Sequence, residues 1–403
     1  MPRLPETRAV KGTSGYASAV VIVAGAGLSK QPDPRAAAEE ACARALGGAS
    51  QADAGLVLVS AEFGPEQLAP LLDAVQAGLG TRAFCGASAH GVLAEGQELE
   101  DGAGVAVLAL SGLEAEPFLL TDLDPSRPRA GEEICARLGG DPRAEDLVVL
   151  LPDPREVPLL AVMDELRESL GPACVVGAGA ADPVSSVPLQ WCGEEVVSGA
   201  LAGMLLRGSA PPSIGVTQAC RPATEAFSVT RTRGHWILEL DGRPALDVYR
   251  EVARGPLGDD LRRAASFVLL ALPRDPDASL EPGSYLVRNV AGFAMAEKAF
   301  AIPDTVKPGD RLGIVVRDPQ TAREDLKAML ESLALERAAA ALYFDCCARG
   351  VGFFGVPGLE AAYLEQALGP VPVAGMFGSC EIGPIGDRSE LLTYTGVLAV
   401  LRD

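Results

Sequence analysis

Short apolar runs alternate with helix-length segments along most of the chain, and this pattern predicts an α/β fold. The order strand, helix, glycine-rich bend and strand occurs three times. Each predicted helix ends at a Leu-Gly pair, where glycine just past the last turn stops a helix. Shared order and shared spacing predict duplicated modules. From first strand to bend, the spacing is 30 residues from Leu56 to Gly86, 30 from Leu147 to Gly177 and 34 from Ala341 to Gly375.

Each predicted module is a β-α-β unit followed by one closing strand. The closing strands are apolar at every position, which is typical of strands buried on both faces. A β-α-β connection also predicts parallel pairing within the unit. The fold class is therefore α/β, with repeated β-α-β modules that form layered mixed sheets covered by helices in two domains. The predicted strand, helix, bend and closing strand span 56–60, 65–80, 84–91 and 105–110 in unit one; 147–151, 157–170, 176–180 and 200–206 in unit two; and 341–345, 359–368, 375–384 and 395–401 in unit three.

The residues before the first unit are predicted to form a disordered segment, one strand and one helix. Residues 1–15 carry Pro, Gly and charge without periodicity, as disordered segments do. A strand is predicted over 16–24, and 25–30 (GAGLSK) is interpreted as a strand-to-helix turn. Asp33 and Pro34 predict the start of a helix that runs to Leu46. The turn lacks the third glycine of a dinucleotide-binding motif, so no such cofactor is predicted.

Residues 215–240 differ from the rest, because polar and apolar residues alternate there as in half-exposed antiparallel strands. The turn signal Asp241-Gly242 follows. We place a domain boundary at this turn. The predicted division is a disordered N-terminus over 1–15, an N-terminal domain over 16–242 and a C-terminal domain over 243–403.

Composition narrows the classes of function. The formal net charge of −20 disfavours binding to nucleic acid or to anionic membrane surfaces. No apolar run reaches the roughly 18 residues of a membrane-spanning helix, and no secretory signal is present, so we expect a cytoplasmic protein without membrane insertion. The nine cysteines include no CxxC pair and there are only two histidines, so neither a metal site nor a cofactor is predicted.

Three motifs together resemble the FIST family. They are a Gly-Ala-Ser-Ala-x-Gly bend in unit one, the run FDCCARG at 344–350, and the C-terminal segment GMFGSCEIGP…LLTYTGVL. The resemblance extends over about residues 52–401 and implies N- and C-terminal FIST domains that sense small ligands in signal transduction, with amino acids among the candidate ligands. It also implies a separate signalling partner, because no output domain is recognised in this chain. By resemblance, the family positions of the C-terminal domain are Cys346, Arg349, Gly350, Gly375, Glu381, Ile382 and Pro384.

The glycine-rich bends are predicted to converge on one small-molecule pocket. Glu381 could bind an amino group, and Arg349 could bind a carboxylate through two hydrogen bonds. Together they would suit a zwitterionic amino acid. Alternatively, Glu381 could be a hydrogen-bonded structural carboxylate that closes a turn, and Arg349 could make an ion pair with Glu381 itself. The predicted ligand-binding residues are Glu381, Arg349, Cys346, Gly375, Ser379, Gly86, Ser88 and His90.

Two other functions are consistent with the same residues. The first is an enzyme, either a hydrolase that uses Ser88 or a thiol enzyme that uses Cys346; the sequence around Ser88 lacks the helix that follows the serine of a nucleophile elbow. Free cysteines are also commonly buried as small apolar side chains. The second is a protein-interaction scaffold without a functional pocket. No catalytic residue is assigned.

Overall fold

Three copies of an eight-element unit make up most of the protein. The computed structural model describes residues 21–139, 141–181, 187–208, 210–277, 279–333 and 335–403; the predicted disordered N-terminus, and the part of the predicted first strand before residue 21, lie outside them. Each unit has the order strand, helix, strand, helix, strand, two-stranded hairpin, closing strand. The third unit carries an insertion after its first strand.

Units one and two are continuous in sequence. Unit one contains β1 (Val23–Ser29), α1 (Pro34–Leu46), β2 (Ala54–Ser60), α2 (Pro65–Leu79), β3 (Phe84–Ala89), the hairpin β4 (Gly91–Ala94) and β5 (Gln97–Leu99), and β6 (Val105–Ser111). Unit two contains β7 (Glu114–Leu120), α3 (Ala130–Leu138), β8 (Leu147–Pro152), α4 (Leu159–Ser169), β9 (Cys174–Ala178), the hairpin β10 (Gln190–Cys192) and β11 (Glu195–Val197), and β12 (Leu201–Arg207).

Unit three begins with β13 (Ala210–Gln218) and is then interrupted. The insertion holds β14 (Cys220–Pro222), β15 (Phe227–Arg233), β16 (Trp236–Leu240), β17 (Arg243–Pro244), α5 (Ala245–Val252), α6 (Pro256–Asp259), α7 (Leu261–Ala264), β18 (Val268–Pro273), β19 (Tyr285–Arg288), β20 (Gly292–Ala294), β21 (Ala299–Ala301) and β22 (Arg311–Arg317). The unit resumes with α8 (Pro319–Ser332), β23 (Ala338–Cys346), α9 (Gly350–Phe354), α10 (Leu359–Leu368), β24 (Val373–Gly378), the hairpin β25 (Glu381–Ile385) and β26 (Arg388–Leu392), and β27 (Thr395–Arg402). Within the described residues, unit three alone has an extra short helix, α9.

Strand pairing inside each unit follows one scheme. The second and third strands pair in parallel, as β2 with β3, β8 with β9 and β23 with β24. The closing strand then pairs antiparallel with the second strand. The predicted parallel β-α-β modules are therefore confirmed, and the layered mixed-sheet α/β fold is confirmed with them.

The hairpins are exchanged between units in a closed cycle. Hairpin β4–β5 of unit one pairs with β24 of unit three, hairpin β10–β11 of unit two pairs with β3 of unit one, and hairpin β25–β26 of unit three pairs with β9 of unit two. Each six-stranded sheet therefore contains strands from two units. None of the three sheets is complete without a neighbouring unit.

Both faces of these sheets are buried, as the apolar closing strands predicted. Leu56 and Leu58 of β2 point into a central core that all three sheets share. The alternate residues Val57 and Val59 point outward, beneath α1 and α2. Because strand side chains alternate between faces, an uninterrupted apolar run supplies both layers. Equivalent outer layers lie under α3 and α4 and under α8 and α10.

The insertion forms a separate nine-stranded arrangement that includes β15, β16, β18 and β22. Its own apolar cluster surrounds Tyr249 and Phe300. The two ends of the insertion meet, since the Asp318 amide donates to the Ala219 carbonyl over 3.0 Å. The alternating segment at 215–240 thus contains the end of β13 of unit three and the first strands of this insertion.

The predicted helix ends are largely confirmed, whereas the prediction of glycine-rich bends is wrong. The Asp33 side chain accepts from the Ala36 amide at the start of α1, and Gly80 ends α2 with a left-handed φ of 69°. The segments interpreted as glycine bends are strands β3, β9 and β24, followed by the hairpins. Residues 25–29 also belong to strand β1 rather than to a turn.

Candidate ligand site at the junction of the three units

The carboxyl ends of the three parallel strand pairs meet in a ring of backbone hydrogen bonds. The Ala181 amide donates to the Ser88 carbonyl over 2.9 Å, the Ser379 amide to the Gly179 carbonyl over 3.0 Å, and the His90 amide to the Phe377 carbonyl over 3.0 Å. Each donor is the fourth residue after the repeated glycine of its unit, and each acceptor is the second. The three glycine segments therefore do converge, although as strand ends rather than as bends.

The repeated glycines allow the parallel strands to lie close together. A Cβ atom on Gly86 would lie 1.7 Å from the Val57 carbonyl oxygen, and one on Gly375 would lie 2.0 Å from the Tyr343 carbonyl oxygen. Gly177 meets the Leu150 carbonyl oxygen in the same way, at 1.9 Å. In all three units the clash is with the residue directly across the parallel pair. The predicted site residues Gly86 and Gly375 thus have a structural role in the strands.

Glu381 is completely buried and only partly hydrogen-bonded. Its Oε2 accepts from the amide of Thr395 over 3.1 Å and from the hydroxyl of Thr395 over 2.8 Å. Oε1 has no hydrogen-bond partner among the described residues. Burial, and then the nearby Cys346 thiol, raises the pKa of Glu381 well above its usual range. The protonated carboxyl is favoured, with Oε1 the free position for the proton because Oε2 already accepts two hydrogen bonds.

Gln190 occupies the equivalent position in the neighbouring sheet, and sequence reasoning missed it. Gln190 lies directly opposite Ala87, and Glu381 lies directly opposite Ala178; each alanine follows a repeated glycine and points into the central core. Gln190 is also fully buried, and its Oε1 accepts from the Ala200 amide over 3.3 Å, while Nε2 has no hydrogen-bond partner within the described part of the chain. Two related positions therefore each present one unsatisfied polar atom. The exchange of hairpins, which no local pattern reveals, creates this equivalence.

Cys346 and Cys347 lie at the end of β23, where their environments differ. Cys346 is buried next to Glu381, whereas Cys347 is exposed. The Cys347 amide donates to the Gly378 carbonyl over 2.8 Å. The hydrogen bond with the Cys347 thiol, and then burial, raises the pKa of Cys346 well above its usual range. A thiol so held is a poor nucleophile, because the thiolate is the reactive form.

Arg349 binds carboxylates other than Glu381, which corrects the predicted pairing. Its guanidinium is fully buried and contacts Asp345 Oδ1 at 2.9 Å and Glu360 Oε1 at 2.5 Å. The Tyr343 hydroxyl also donates to Glu360, over 2.7 Å. Asp345 and Tyr343 alternate along β23 with Phe344 and Cys346, so they point to the helix side of the sheet. Arg349 thus belongs to a charge network beneath α10, and the zwitterion site predicted with Glu381 is not assembled.

The remaining predicted residues lie in the ring itself. The Ser88 hydroxyl is buried, donates to the Ala181 carbonyl over 3.0 Å and accepts from the Leu189 amide over 3.0 Å. These bonds connect units one and two. Both partners are backbone groups, so neither of these hydrogen bonds joins Ser88 to a base of the kind that a hydrolase requires. His90 and Ser379 are exposed at the rim, where the Ser379 hydroxyl donates to the Ala180 carbonyl over 2.9 Å. The ring therefore has a buried side at Glu381 and an exposed side at His90, Ser379 and Cys347.

Two open clefts lie elsewhere, near the amino ends of the parallel strands. A cleft of about 790 Å³ separates α4 from hairpin β25–β26, and one of about 590 Å³ separates α1 from α10. Neither is lined by a predicted site residue. In the part of the chain that the structure describes, no group of three or more His, Cys, Asp or Glu side chains is arranged to hold a metal ion. No described helix is long and apolar enough to cross a membrane.

Comparison with family models identifies the class of protein to which these three sheets belong. The FIST N domain model matches residues 53–243 and the FIST C domain model matches residues 245–384. The chain belongs to the FIST family. FIST domains are generally considered sensory domains that bind small ligands in signal transduction.

Full-length relatives occur in mycobacteria. An uncharacterized protein of Mycobacterium tuberculosis is 34% identical over 392 residues, which cover 94% of this chain and 99% of the relative. An uncharacterized protein of Mycobacterium bovis is 32% identical over 385 residues, which cover 94% of this chain and 98% of the relative. The similarity extends over nearly the whole length of each relative, and their names assign no ligand.

Proposed function

We propose that this protein is a non-catalytic sensor that binds a small metabolite carrying an amino group at the junction of its three units. The observation that carries the proposal is the unpartnered Oε1 of the fully buried Glu381. A buried polar atom without a partner is costly, by about 1–3 kcal/mol. A ligand that supplies the missing hydrogen bond recovers that free energy and gains affinity from it.

An amino group suits this position because Glu381 presents a buried carboxyl oxygen on the central side of the sheets. An ammonium group beside Glu381 would favour the ionised carboxylate, so binding would convert a neutral buried carboxyl into a hydrogen-bonded ion pair. Gln190 Nε2 offers a donor to an oxygen of the same class of ligand. Amino acids remain the first candidates, with Gln190 rather than Arg349 as the polar partner of their carboxylate. His90, Ser379 and Cys347 would line the entrance, and Cys346 would lie beside the bound group.

Thermal-shift measurements with each of the twenty amino acids, and with the primary amines formed by their decarboxylation, test the proposal. A specific ligand at a hundredfold excess over its Kd should stabilise the protein by about 2.7 kcal/mol. Glu381→Gln keeps the shape of the side chain but cannot ionise, so it should abolish the shift. Glu331→Gln alters an exposed glutamate of α8 and should leave the ligand-induced thermal shift unchanged. A panel without any hit, or a hit that Glu381→Gln does not weaken, would contradict the proposal.

A further inference from the structure

Cys85 and Cys192 face each other across the boundary between units one and two. They are direct partners in the antiparallel pairing of β3 with β10. Hydrogen bonds from the Gly193 amide to the Phe84 carbonyl and from the Ser88 amide to the Leu189 carbonyl flank this pair. Because hydrogen-bonded and non-hydrogen-bonded pairs alternate along an antiparallel ladder, Cys85 and Cys192 occupy a non-hydrogen-bonded pair, the closer of the two kinds.

The expected geometry of that pair matches a disulfide. Opposite Cα atoms of a non-hydrogen-bonded pair lie about 4.5 Å apart with their side chains on the same face. Disulfides span Cα separations of about 4.4–6.8 Å. Both thiols are free, Cys85 fully buried and Cys192 half-buried. Cys192 lies beside the hairpin turn whose residues Glu194 and Glu195 are exposed, so an external reagent reaches Cys192 first.

We infer that Cys85 and Cys192 form a reversible disulfide that fastens the exchanged hairpin of unit two to the sheet of unit one. Without this disulfide, the hairpin is joined covalently to unit one through the backbone alone. The same strand β10 carries Gln190, two residues from Cys192 and on the same face. Oxidation therefore also fixes the strand on which Gln190 lies.

The chemistry requires a low-molecular-weight disulfide as the oxidant. The Cys192 thiolate attacks one sulfur of that disulfide, a new S–S bond forms, and one small thiolate leaves. The Cys85 thiolate then attacks the Cys192 sulfur and expels the second small thiolate. Each cysteine gives up one proton, each small thiolate takes up one, and the two electrons lost by the protein reduce the oxidant to two thiols.

Burial sets the rate of this exchange. It raises the pKa of both Cys85 and Cys192 above the usual range of a thiol, while Arg137 acts in the opposite direction on Cys192. Since the thiolate is the attacking form, the reaction is slow near neutral pH and accelerates as pH rises. The adjacent pair Cys346 and Cys347 competes poorly, because consecutive Cα atoms lie about 3.8 Å apart, below the range of unstrained disulfides.

The full-length protein is incubated with oxidised glutathione at pH 7 and pH 9, its remaining thiols are alkylated, and non-reducing peptide maps and melting temperatures are recorded. We expect a Cys85–Cys192 cross-linked peptide, a loss of two of the nine free thiols, a higher Tm and reversal by dithiothreitol. Cys192→Ser and Cys85→Ala should each abolish the cross-link and the Tm shift. Cys174→Ser, a half-buried cysteine of β9, should preserve both.

Three results would overturn the inference: a map in which only Cys346 and Cys347 are joined, retention of all nine thiols at pH 9, or a cross-link that forms without any change in Tm. Because Cys85→Ala removes a buried side chain and could impair folding, the half-exposed Cys192→Ser is the deciding variant. Its circular dichroism spectrum before oxidation establishes that it is folded.

Discussion

The repeated glycines are positions at which a single added methyl group should be strongly destabilising. Gly375→Ala would place a Cβ 2.0 Å from the Tyr343 carbonyl oxygen, and backbone cannot move aside as a flexible side chain can. We expect a loss of about 3 kcal/mol or more in the free energy of unfolding, measured by urea denaturation. Gly352→Ala is the matched control, because a Cβ there meets nothing within 4 Å. Equal stability of both variants would contradict the close-approach explanation.

The buried charge network under α10 gives a second prediction. Arg349→Met removes a buried positive charge that contacts both Asp345 and Glu360. Leaving two carboxylates buried without their partner should cost about 3–5 kcal/mol of unfolding free energy. Arg388→Met changes an exposed arginine that forms an ion pair with Asp387 and should shift stability by less than about 0.5 kcal/mol. Denaturant midpoints of the two variants provide the comparison, and a near-neutral Arg349→Met would show that the network is dispensable.

The role of a residue could be predicted from the sequence only where its contacts lie close to it along the chain. The Asp33 cap was predictable, because its partner Ala36 lies three residues away. The partners of Glu381 were not, since Thr395 and Cys346 come from different strands and Gln190 is related to Glu381 only through the exchanged hairpins. Arg349 was expected to face a ligand. Its partner Glu360 lies eleven residues away on helix α10, and the sequence did not indicate which face of that helix packs against the sheet.

Helices α9 and α10 begin at glutamates supplied by another unit. Glu98 of β5 accepts from the Gly358 amide over 3.1 Å and from the Ala361 amide over 2.7 Å, and Glu100 accepts from the Val351 amide. Carboxylates at helix N-termini satisfy free amides and the helix dipole. The exchanged hairpin thus anchors two helices of unit three in addition to extending its sheet.

Glu98 should make stability depend on pH near neutrality. Burial raises the pKa of Glu98 to about 7, with Glu360 and Glu100 acting in the same direction. In the unfolded chain its pKa is about 4.3, so the folded state binds the extra proton. The stabilisation is fully present below the unfolded pKa and is lost as pH rises through about 7.

Urea titrations between pH 4.5 and 8.5 measure this effect. The unfolding free energy of the native chain should decline across that window relative to that of Glu98→Gln, which cannot titrate. Glu62→Gln, in the loop before α2, serves as the control with native pH dependence. Parallel curves for the native chain and Glu98→Gln would refute the shifted pKa.

Helices and strands were predicted well where local patterns decide them. Helix α10 spans the predicted residues 359–368, and α1 begins and ends where Asp33, Pro34 and Leu46 indicated. The glycine segments were misread because Gly is normally depleted in strands. Close parallel pairing overrode that propensity here. The hairpins were missed because each consists of only three to five residues per strand.

The closed exchange of hairpins predicts that the three-unit core unfolds as one cooperative body. The only two tryptophans lie in different parts: Trp191 in the exchanged hairpin of unit two and Trp236 in the insertion. In Trp236→Phe, fluorescence reports on Trp191 alone. The urea midpoint measured by Trp191 fluorescence should coincide with the urea midpoint measured by far-ultraviolet circular dichroism, which follows the helices of all three units. Separate midpoints would mean that the units unfold independently. Trp191→Phe reports in the same way on the insertion.

The overall arrangement lay beyond sequence reasoning for a physical reason. The order and spacing of the repeats come from local patterns, but the partner of each hairpin is set by pairing over hundreds of residues. Val92 pairs with Met376, for example. The insertion likewise splits unit three, so β13 was assigned with the alternating segment rather than with the strand β27 that it borders.

The cyclic hairpin exchange has a consequence for the ancestry of the chain. A gene encoding one unit would yield a polypeptide whose hairpin has no sheet of its own to join. Such a product could satisfy all its strands only as a ring of three identical copies, each lending its hairpin to the next. Tandem fusion would then free the copies to diverge, so that one keeps an acid where its sibling keeps an amide and a third acquires an entire additional sheet.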